Sequence, residues 1–317
     1  QIVVSATRTE KEVSEAPGSV TIIDGRELEK KKIETADDAL KSIPGVYVKR
    51  TKGLMDSTTS VRMRGFNGDQ YTLIMIDGQP LNDAYTGGLD WSNIPIGNIE
   101  RIEVIRGAAS ALYGGNAMGG VINIITRTPE KPELEASAGY GSNDTWKYQV
   151  RAGSKINDKL RIQAGFEQES TDGYATTPVV KTLSSGTGTV EGGYPMNNTD
   201  GSPGRWVIGD KGRNGADRLA FNGKVSYDFS ATGQISFLAL SSRNEYDYGS
   251  PNTYVGTFGD GTTAVNGGEG LRSKFNPNDF INYTGMGKNR TDTFSLSFRE
   301  MLGEVELKAK VGTNLVD

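Results

Sequence analysis

The sequence predicts two parts with different folds: an α+β domain over residues 9–129 and antiparallel strands of a transmembrane β-barrel over residues 130–317. In the first part, helix-capping residues and short β-prone runs follow one another, which indicates helices packed on a mixed sheet. In the second part, apolar and polar residues alternate along successive runs, as in strands with one face on an apolar medium. These patterns predict a small α+β domain followed by an all-β region.

The first part contains two helix-capping patterns. Asp24, with Glu27 three residues later, resembles a capping box and predicts a helix through Lys32. Thr35 and Asp38 open a second helix. Short β-prone runs predict strands over residues 19–23, 46–50, 60–64, 72–76, 99–106 and 121–126.

A glycine-rich stretch, residues 107–120, joins the last two of these runs. Glycine adopts positive φ and lets two backbones approach closely, so this stretch indicates tight packing. The stretch is not followed by the Lys-Ser/Thr pair of a phosphate-binding loop, which argues against a nucleotide site.

In the second part, seven alternating runs predict membrane strands, for which about 9–11 residues suffice when a strand is tilted. A soluble β-sandwich alternates in the same way, so the connections decide between the two. Residues 157–158, 230–233 and 303 predict tight turns, whereas residues 170–216 and 249–288 predict long loops, as in outer-membrane barrels. The seven runs lie at residues 134–140, 146–152, 160–166, 218–229, 234–246 (of ambiguous phase), 293–299 and 305–311.

Seven strands do not close a single-chain bacterial barrel, which takes an even number. An open sheet edge in lipid leaves backbone groups unpaired, at several kcal/mol each. We therefore expect an incomplete barrel and a chain that is the N-terminal part of something longer. Aromatic residues near strand ends predict girdles at the membrane interfaces: Tyr140, Trp146, Tyr148, Tyr227 and Phe229.

Composition excludes several function classes. The net charge of −4 argues against a nucleic-acid partner. The chain has no cysteine and no histidine, which removes disulfides, thiolate and imidazole metal ligands, and the Ser-His-Asp triad. Carboxylate chemistry, as in a membrane-embedded hydrolase, stays open, but we expect no enzyme. The start of the chain has no signal peptide and is typical of a mature or trimmed form.

Six motifs in order resemble the plug signatures of TonB-dependent outer-membrane receptors, of the siderophore, colicin I and vitamin B12 receptor type. The resemblance implies a plug domain inside a barrel of about 22 strands, of which this chain holds the plug and the first seven strands. The motifs are Val3-Val-Ser-Ala-Thr-Arg8, Ile43-Pro-Gly-Val46, Val61-Arg-Met-Arg-Gly-Phe66, Ile76-Asp-Gly78, Ile99-Glu-Arg-Ile-Glu-Val-Ile-Arg-Gly107, and Leu112-Tyr-Gly114 through Gly119-Gly-Val-Ile-Asn-Ile-Ile125.

The resemblance assigns residues 1–8 to the TonB box, the strand that joins the periplasmic TonB protein. The residues alone favour a first strand of the following domain, and strand addition to a partner is the alternative. The acidic-Thr pair that usually precedes the box is absent, so we expect a clipped box. The expected TonB contacts are Ile2, Val3, Val4, Ser5 and Ala6.

The resemblance also implies a plug–barrel latch. Arg64 and Arg106 match arginines that pair with glutamates on the barrel wall, in strands that we expect this chain to lack. The alternative is that both arginines pair with Glu100 and Glu103 inside the plug.

Substrate contacts are expected from the outward plug loops at residues 52–57, 68–70 and 83–91. Cationic and aromatic side chains suit an anionic chelate that carries rings; a solvated loop without ligand contact is the alternative for each residue. The plug candidates are Arg50, Lys52, Asp56, Asp69, Tyr85 and Trp91, and the long loops add Tyr174, Trp206, Tyr246, Tyr248 and Tyr254.

The implied function is a receptor in the bacterial outer membrane that actively imports a nutrient chelate, with a ferric siderophore as the first candidate. TonB, energised by ExbB and ExbD, the lipid bilayer and the chelate are the expected partners; a colicin or a phage is a further one. We expect a monomer and no resident cofactor, with iron only inside the chelate. Residues 200–217 and 259–270 offer oxygens to Ca²⁺, although glycine-rich turns also explain them. An adhesin or binding module without transport is the alternative function.

Overall fold

The computed structural model describes residues 2–3, 11–12, 18–198, 201, 203–268 and 270–317. An N-terminal domain, which ends at Thr126, is followed by a sheet of seven long antiparallel strands. One face of this sheet contacts the domain through hydrogen bonds, and the other face points away from it.

The described elements of the N-terminal domain are short. In chain order they are β1 (Ile2–Val3), β2 (Lys11–Glu12), β3 (Ser19–Asp24), α1 (Gly25–Lys30), α2 (Ala36–Leu40), β4 (Val46–Lys49), β5 (Ser60–Met63), β6 (Thr72–Ile76), β7 (Gln79–Pro80), β8 (Ile99–Arg106), α3 (Ser110–Tyr113) and β9 (Gly120–Thr126). Single 3-10 turns lie between them, at Gly53–Met55, Asp69–Tyr71, Trp91–Asn93, Ile96–Asn98 and Gly115–Ala117.

The core of this domain is a five-stranded sheet in the order β3-β8-β9-β6-β7. Strands β6 and β9 are parallel, and the other neighbours are antiparallel. Every residue of β6 is buried, because Leu73 and Met75 pack into one apolar cluster whereas Ile74 and Ile76 pack into another. A strand that is covered on both faces has a continuous apolar sequence rather than an alternating one.

Helix α1 begins at the predicted capping residue. The Asp24 carboxylate accepts a hydrogen bond from the Arg26 main-chain nitrogen at 2.8 Å. The helix ends at Lys30, two residues earlier than predicted, and Lys32 has a φ of +51°. A left-handed residue just beyond the last turn is a common helix terminator. Thr35 precedes α2, but its side chain makes no capping hydrogen bond.

The second part contains the seven long strands and several short ones between them. In chain order they are β10 (Glu133–Gly141), β11 (Thr145–Lys155), β12 (Leu160–Thr171), β13 (Pro178–Thr182), β14 (Ser184–Ser185), β15 (Tyr194–Asn197), β16 (Pro203–Asp210), β17 (Gly215–Asp228), β18 (Gln234–Asp247), β19 (Asn252–Thr253), β20 (Ala264–Asn266), β21 (Leu271–Lys274), α4 (Asn278–Ile281), β22 (Met286–Leu302) and β23 (Val305–Val316).

All seven predicted membrane strands are confirmed. They form one sheet in the order β10-β11-β12-β17-β18-β22-β23, and each pair of neighbours is antiparallel. The turns after β11, β17 and β22 are short, and the connections after β12 and β18 are long. We call the two ends of the sheet the short-turn end and the long-loop end.

The sheet is apolar outside and polar inside, which is the reverse of a soluble sandwich. A lipid-facing barrel with a plugged or wet lumen has this arrangement. Apolar side chains exposed on the outer face include Leu134, Tyr140, Trp146, Tyr148, Val150, Ile162, Phe221, Val225, Tyr227, Ile235, Phe237, Phe294, Leu296, Leu307 and Val311. Polar side chains buried on the inner face include Gln163, Glu169, Arg218, Asn222, Ser226, Ser236, Ser242, Asn244, Thr291, Thr293 and Ser295.

Strand β18, whose phase is ambiguous in the sequence, places Leu238 and Leu240 on the inner face. Both leucines are buried in the main apolar cluster of the N-terminal domain, which also contains Ile94 and Ile124. The inner face of this strand is therefore apolar where it meets the domain core, and this breaks the polar-inside pattern.

The two long connections fold together into a small domain at the long-loop end. Strand β16 pairs with β13, β15 and β19, and β21 pairs with β14 and β20. Strands from both connections therefore share each sheet. This loop domain has its own apolar core, formed by Val179, Ile208, Val255, Val265, Phe275 and Phe280. The sequence pattern predicts only loops here.

Gly120 supplies a test of the packing in the N-terminal domain. Its φ is +152°, and an added Cβ would lie 2.3 Å from the Ile105 carbonyl oxygen. We expect Gly120→Ala to destabilise the domain by about 2–4 kcal/mol, because the backbone oxygen cannot move freely. The measurement is hydrogen–deuterium exchange of the β6 and β9 amides in the complete barrel, which should be at least about tenfold faster.

Gly115 is the matched control for this substitution. An added Cβ at Gly115 has nothing within 4 Å, and its φ is not positive. We expect Gly115→Ala to change stability by less than about 0.5 kcal/mol. Equal exchange rates in the two variants would contradict the packing that the structure assigns to Gly120.

Candidate ligand site and domain–barrel contacts

The 3-10 turn Gly53–Met55 of the N-terminal domain lies beneath the loop domain. An added Cβ on Gly53 would lie 3.2 Å from Cε1 of Tyr174, so the tyrosine ring rests on the turn. Met55 packs in a small apolar cluster with Ala216 and Tyr248. The Lys52 ammonium group lies 5.3 Å from the centre of the Tyr248 ring, which is a cation–π contact.

A second lysine, Lys211, lies near Lys52, close enough for the two charges to interact. Its Nζ is 5.4 Å from the centre of the Tyr283 ring and donates a hydrogen bond to the Asn282 carbonyl oxygen. Burial and the nearby charge of Lys52 lower the pKa of Lys211, against the opposing effect of Asp279. We call Lys52, Lys211, Tyr174, Tyr248 and Tyr283 the lysine–tyrosine site.

The electrostatics of the lysine–tyrosine site favour an anion. Among the described residues, neither Lys52 nor Lys211 forms an ion pair, and Asp279 is already paired with Lys181 at 2.9 Å. Two cations that repel each other are stabilised when an anion binds between them. Aromatic rings beside the cations add flat apolar surface, so the site suits an anionic molecule with planar groups.

The other candidates of the N-terminal domain, Asp56, Asp69 and Tyr85, lie on local turns. The Asp56 carboxylate accepts hydrogen bonds from the nitrogen and the hydroxyl of Thr51, at 2.9 and 3.0 Å. The Asp69 carboxylate accepts from Arg62 Nε at 3.2 Å and from a serine hydroxyl. Tyr85 is 97% exposed. The structure does not bring these three residues to the lysine–tyrosine site through any contact that it describes.

Arg50 and Trp91, both predicted to contact substrate, have little exposed surface and make internal contacts. Arg50 Nη2 lies 2.6 and 2.7 Å from the two carboxylate oxygens of Asp37, which is fully buried. A buried carboxylate needs a cationic partner, so this arginine is held in the interior. Trp91 is 3% exposed, and its Nε1 donates to the Thr59 carbonyl oxygen at 2.9 Å. Both residues also line a small cavity together with Glu167, Glu169 and Arg218, and their contact with a substrate stays a prediction.

The five loop aromatics divide between the ligand site and the loop domain. Tyr174 and Tyr248 belong to the lysine–tyrosine site, and Tyr246 packs beside the cluster of Met55 and Tyr248. Trp206 Nε1 donates to a main-chain oxygen inside the loop domain. The Tyr254 hydroxyl donates to Asp210 at 2.7 Å, and this hydrogen bond raises the pKa of Tyr254 to about 12.

The two stretches considered for Ca²⁺ have other structures where they are described: residues 203–210 of the first form β16, and Asp260 of the second lies in a turn. The Asp260 carboxylate accepts hydrogen bonds from Thr262 and Thr263, which lower the pKa of Asp260. Within the described part of the chain, no group of three or more histidine, cysteine, aspartate or glutamate residues could hold a metal ion.

Glu100 and Glu103 have Arg101 as an ion-pair partner, at 3.0 Å and 2.8 Å. Arg101, which is not one of the predicted latch arginines, therefore competes with the internal alternative. Arg106 donates to the Pro44 carbonyl oxygen and to Thr21, and its buried Nε has no hydrogen-bond partner. Arg64 is exposed and rests on Gly107. Their pairing with wall glutamates stays a prediction.

The structure shows a different ionic contact with the wall, centred on Asp77. Lys224 of β17 places its Nζ 2.9 Å from the Asp77 carboxylate, and Lys310 of β23 donates to the Asp77 carbonyl oxygen. Thr126 donates to the same carboxylate from its nitrogen at 2.9 Å and from its hydroxyl at 2.6 Å. We call Asp77, Thr126, Lys224 and Lys310 the Asp77 latch. The carboxylate is on the domain and the cations are on the wall, the reverse of the prediction.

The Asp77 latch depends on its charges. Burial by itself raises the pKa of Asp77, but the charge of Lys224 and the Thr126 hydrogen bonds outweigh it and lower the pKa. The stabilisation is therefore present above the ordinary pKa of aspartate and is lost as the pH falls through the lowered value. In the sequence, Asp77 stands out only as part of the Ile76-Asp-Gly78 motif, and no local pattern singles out Lys224 or Lys310.

The remaining contacts between the domain and the wall are mostly hydrogen bonds. They include Asn93 to Thr293 at 2.9 Å, Asn98 to Asn222, Arg151 to the Gly97 oxygen at 3.0 Å, Lys147 to the Glu34 oxygen at 2.9 Å and Asn314 to the Leu81 oxygen at 2.9 Å.

The TonB contacts predicted at the N-terminus are described only in part. Ile2 and Val3 form β1, which pairs with Glu12 and Lys11 of β2. The other three predicted contacts, Val4, Ser5 and Ala6, lie outside the described residues.

The comparisons with known proteins agree with this architecture. The family profile described as "TonB-dependent Receptor Plug Domain" matches residues 12–121. The vitamin B12 transporter BtuB of Vibrio vulnificus (strain YJ016) is 35% identical over 179 residues, which are 56% of this chain and 29% of that protein. The same transporter of strain CMCP6 is 36% identical over 176 residues, which are 55% of this chain and 28% of that protein.

Solved structures share the fold at low identity. A ferric enterobactin receptor (PfeA) of Pseudomonas aeruginosa superposes with a TM-score of 0.62 at 18% identity, over 94% of this chain and 41% of that one. The siderophore receptor PirA of Acinetobacter baumannii superposes with a TM-score of 0.59 at 20% identity, over 94% of this chain and 40% of that one. The chain therefore spans less than a third of the curated relatives and about two fifths of these structures, and it holds only part of the barrel. Among the described residues, no helix is both long and apolar enough to span a membrane.

The Asp77 latch predicts a non-additive pair of substitutions. We expect Lys224→Met to weaken the attachment of the domain to the wall by about 3 kcal/mol, because the partly buried Asp77 carboxylate loses its cation. Asp77→Asn should have a similar effect. The double variant should lose less attachment free energy than the sum of the losses in the two single variants. The measurement is hydrogen–deuterium exchange of residues 72–78 and 120–126 in the complete barrel.

Lys159→Met, on an exposed turn at the short-turn end, is the control. If the amides of residues 72–78 and 120–126 exchange no faster in Lys224→Met than in this control, the ionic contact does not hold the domain.

Proposed function

Because the chain is that of a TonB-dependent receptor, with the plug domain of that family followed by the first strands of its barrel, we propose that it binds a nutrient chelate at the bacterial outer membrane and imports it with energy from TonB. An antiparallel barrel whose lumen holds a hydrogen-bonded plug supports transport over the alternative of an adhesin. The proposal needs no catalysis and no resident cofactor.

The lysine–tyrosine site is the observation that carries the choice of cargo. It lies between the plug and the loop domain at the long-loop end, where a ligand from outside first meets the plug. Lys52 and Lys211 repel each other, so an anionic chelate gains from both. Catecholate or similar ferric siderophores combine negative charge with planar rings, which suits these lysines and the tyrosine rings beside them.

The plug contacts the wall near both ends of the barrel. This suggests how occupancy of the lysine–tyrosine site by a ligand is linked to the force that TonB applies to the plug. At the long-loop end, a ligand in the lysine–tyrosine site binds next to the turn Gly53–Met55 of the plug. At the short-turn end, the Asp77 latch ties the plug to β17 and β23. Import requires TonB to act on residues 2–6 strongly enough to break the latch and the hydrogen bonds along the wall.

Neutralising the two lysines tests the cargo class. We expect Lys52→Gln and Lys211→Gln each to weaken binding of a ferric tricatecholate by at least about tenfold, since each removes a charge-assisted contact. Binding is measured by tryptophan fluorescence of the complete receptor. Lys159→Gln should bind like the unmodified protein, and cobalamin that binds more tightly than the tricatecholate would overturn the siderophore assignment.

The lowered pKa of Lys211 predicts a pH dependence. A lysine favours an anion only while protonated, so the affinity should fall as the pH rises, and it should do so at a lower pH than for a lysine with an ordinary pKa. Lys211→Arg keeps the charge over this range and should remove that part of the dependence. The comparison of the two titrations cancels the protonation of the chelate itself, and identical titrations would contradict the role of Lys211.

Uptake with and without the N-terminal strand tests the transport mechanism. We expect replacement of residues 2–6 by a Gly-Ser segment of equal length to abolish accumulation of the ferric chelate in iron-limited cells, while chelate binding stays unchanged. Equal accumulation by both forms would count against coupling through this strand.

A further inference from the structure

A basic patch lies on the outer surface of the barrel, away from the lumen. Its three cations are Arg243 on β18 and Lys288 and Arg290 on β22, and their side chains are 55%, 64% and 63% exposed. Their chain neighbours Asn244 and Thr291 are buried and hydrogen-bond to the plug residues Ser57 and Asp90. Because successive side chains of a strand point to opposite faces, the three cations point outward.

Like charges lie close together in the patch. Arg243 and Arg290 lie directly opposite each other in the strand register, and like charges in that position destabilise a sheet. Glu245 pairs with both Arg243 and Lys288, and Asp292 pairs with Arg290. Asp317 is the third acidic residue here: it lines the same depression, and its main chain pairs with that of Arg290. Each arginine has five N–H donors, so guanidinium donors remain for an external anion.

The patch adjoins the apolar band that faces lipid. Phe221, Phe294 and Leu296 are exposed on the same outer face, further from the long-loop end. Leu219 and Phe221 line a depression of about 460 Å³ together with Arg243, Lys288 and Arg290. The cations thus stand at the long-loop edge of the band, at the depth where lipid headgroups begin.

We propose that this patch, Arg243, Lys288 and Arg290, binds the phosphate of an anionic lipid in the outer leaflet. The arginine fork matches phosphate geometry, and the apolar residues beside it take the acyl chains. A free anion would leave the apolar part of the depression empty, and the transported chelate is separated from it by the barrel wall. The occupant is therefore a lipid rather than a solute.

Native mass spectrometry of the complete receptor in a non-ionic detergent tests this proposal with a matched pair of lipids. Phosphatidic acid and diacylglycerol with identical chains differ only by the phosphate. We expect phosphatidic acid to remain bound at least about fivefold more than diacylglycerol. The variant Arg243→Gln/Arg290→Gln should lose that preference, and inorganic phosphate at the same concentration should not displace the lipid.

Arg213→Gln/Lys159→Gln removes the same charge at exposed positions outside the patch and should keep the preference. Equal retention of the two lipids, or an unchanged preference in the patch variant, would overturn the proposal. Displacement by inorganic phosphate alone would also overturn it, because it shows an anion site without lipid. Chelate affinity should be the same in all variants, which separates this result from a failure of the proposed function.

Discussion

The strict alternation of side chains across each barrel strand is the constraint on which the rest of the structure depends. Lipid requires every second residue to be apolar, and the intervening residues then face the lumen and are polar. The inner surface of the wall therefore presents amides, hydroxyls and charges to the plug, such as those of Asn222, Thr293 and Lys224. The plug must be built to match a polar surface, although its own interior is an ordinary apolar core.

A polar interface suits the plug movement that we propose. Hydrogen bonds such as that from Asn93 to Thr293 would be replaced by water if the plug left the lumen, so each costs only about 0.5–1.5 kcal/mol net. The apolar contacts of Leu238, Leu240 and Met55 and the ionic contacts of Asp77 with Lys224 and of Glu29 with Arg151 are of a different kind. Exposed apolar area and an uncompensated charge both cost more, so these contacts contribute more per contact to the resistance to displacement.

Features that depend on neighbours in sequence could be predicted. The Asp24 cap, the seven membrane strands and the asymmetry of their connections follow from local patterns, and the structure has all of them. Features that depend on distant partners could not. Which face of β18 points inward depends on the apolar cluster of the plug that Leu238 contacts. The position of the Arg50 side chain depends on its ion pair with Asp37, which lies on helix α2.

The candidate sites show the same limit more strongly. Lys52 could be singled out because a cation on an outward loop is a local property, whereas Lys211 becomes a partner only when the two long connections fold together. The latch was expected to join plug arginines to wall glutamates, but the contact present joins a plug aspartate to wall lysines. Motifs identify the polar residues of each part, and only the assembled lumen decides which of them meet.

The N-terminal strand is the attachment on which TonB acts in the proposed function. In the described part of the chain, strand β1 pairs with β2 through two residue pairs, which are the existing structure that an incoming strand would displace. The Asp77 latch is far stronger because a partly buried charge holds it, and it lies near the short-turn end of the lumen. Under the proposed function, engagement of TonB therefore breaks fewer of the described contacts than release of the plug does. Such an arrangement would let TonB bind readily while the lumen opens only under sustained force.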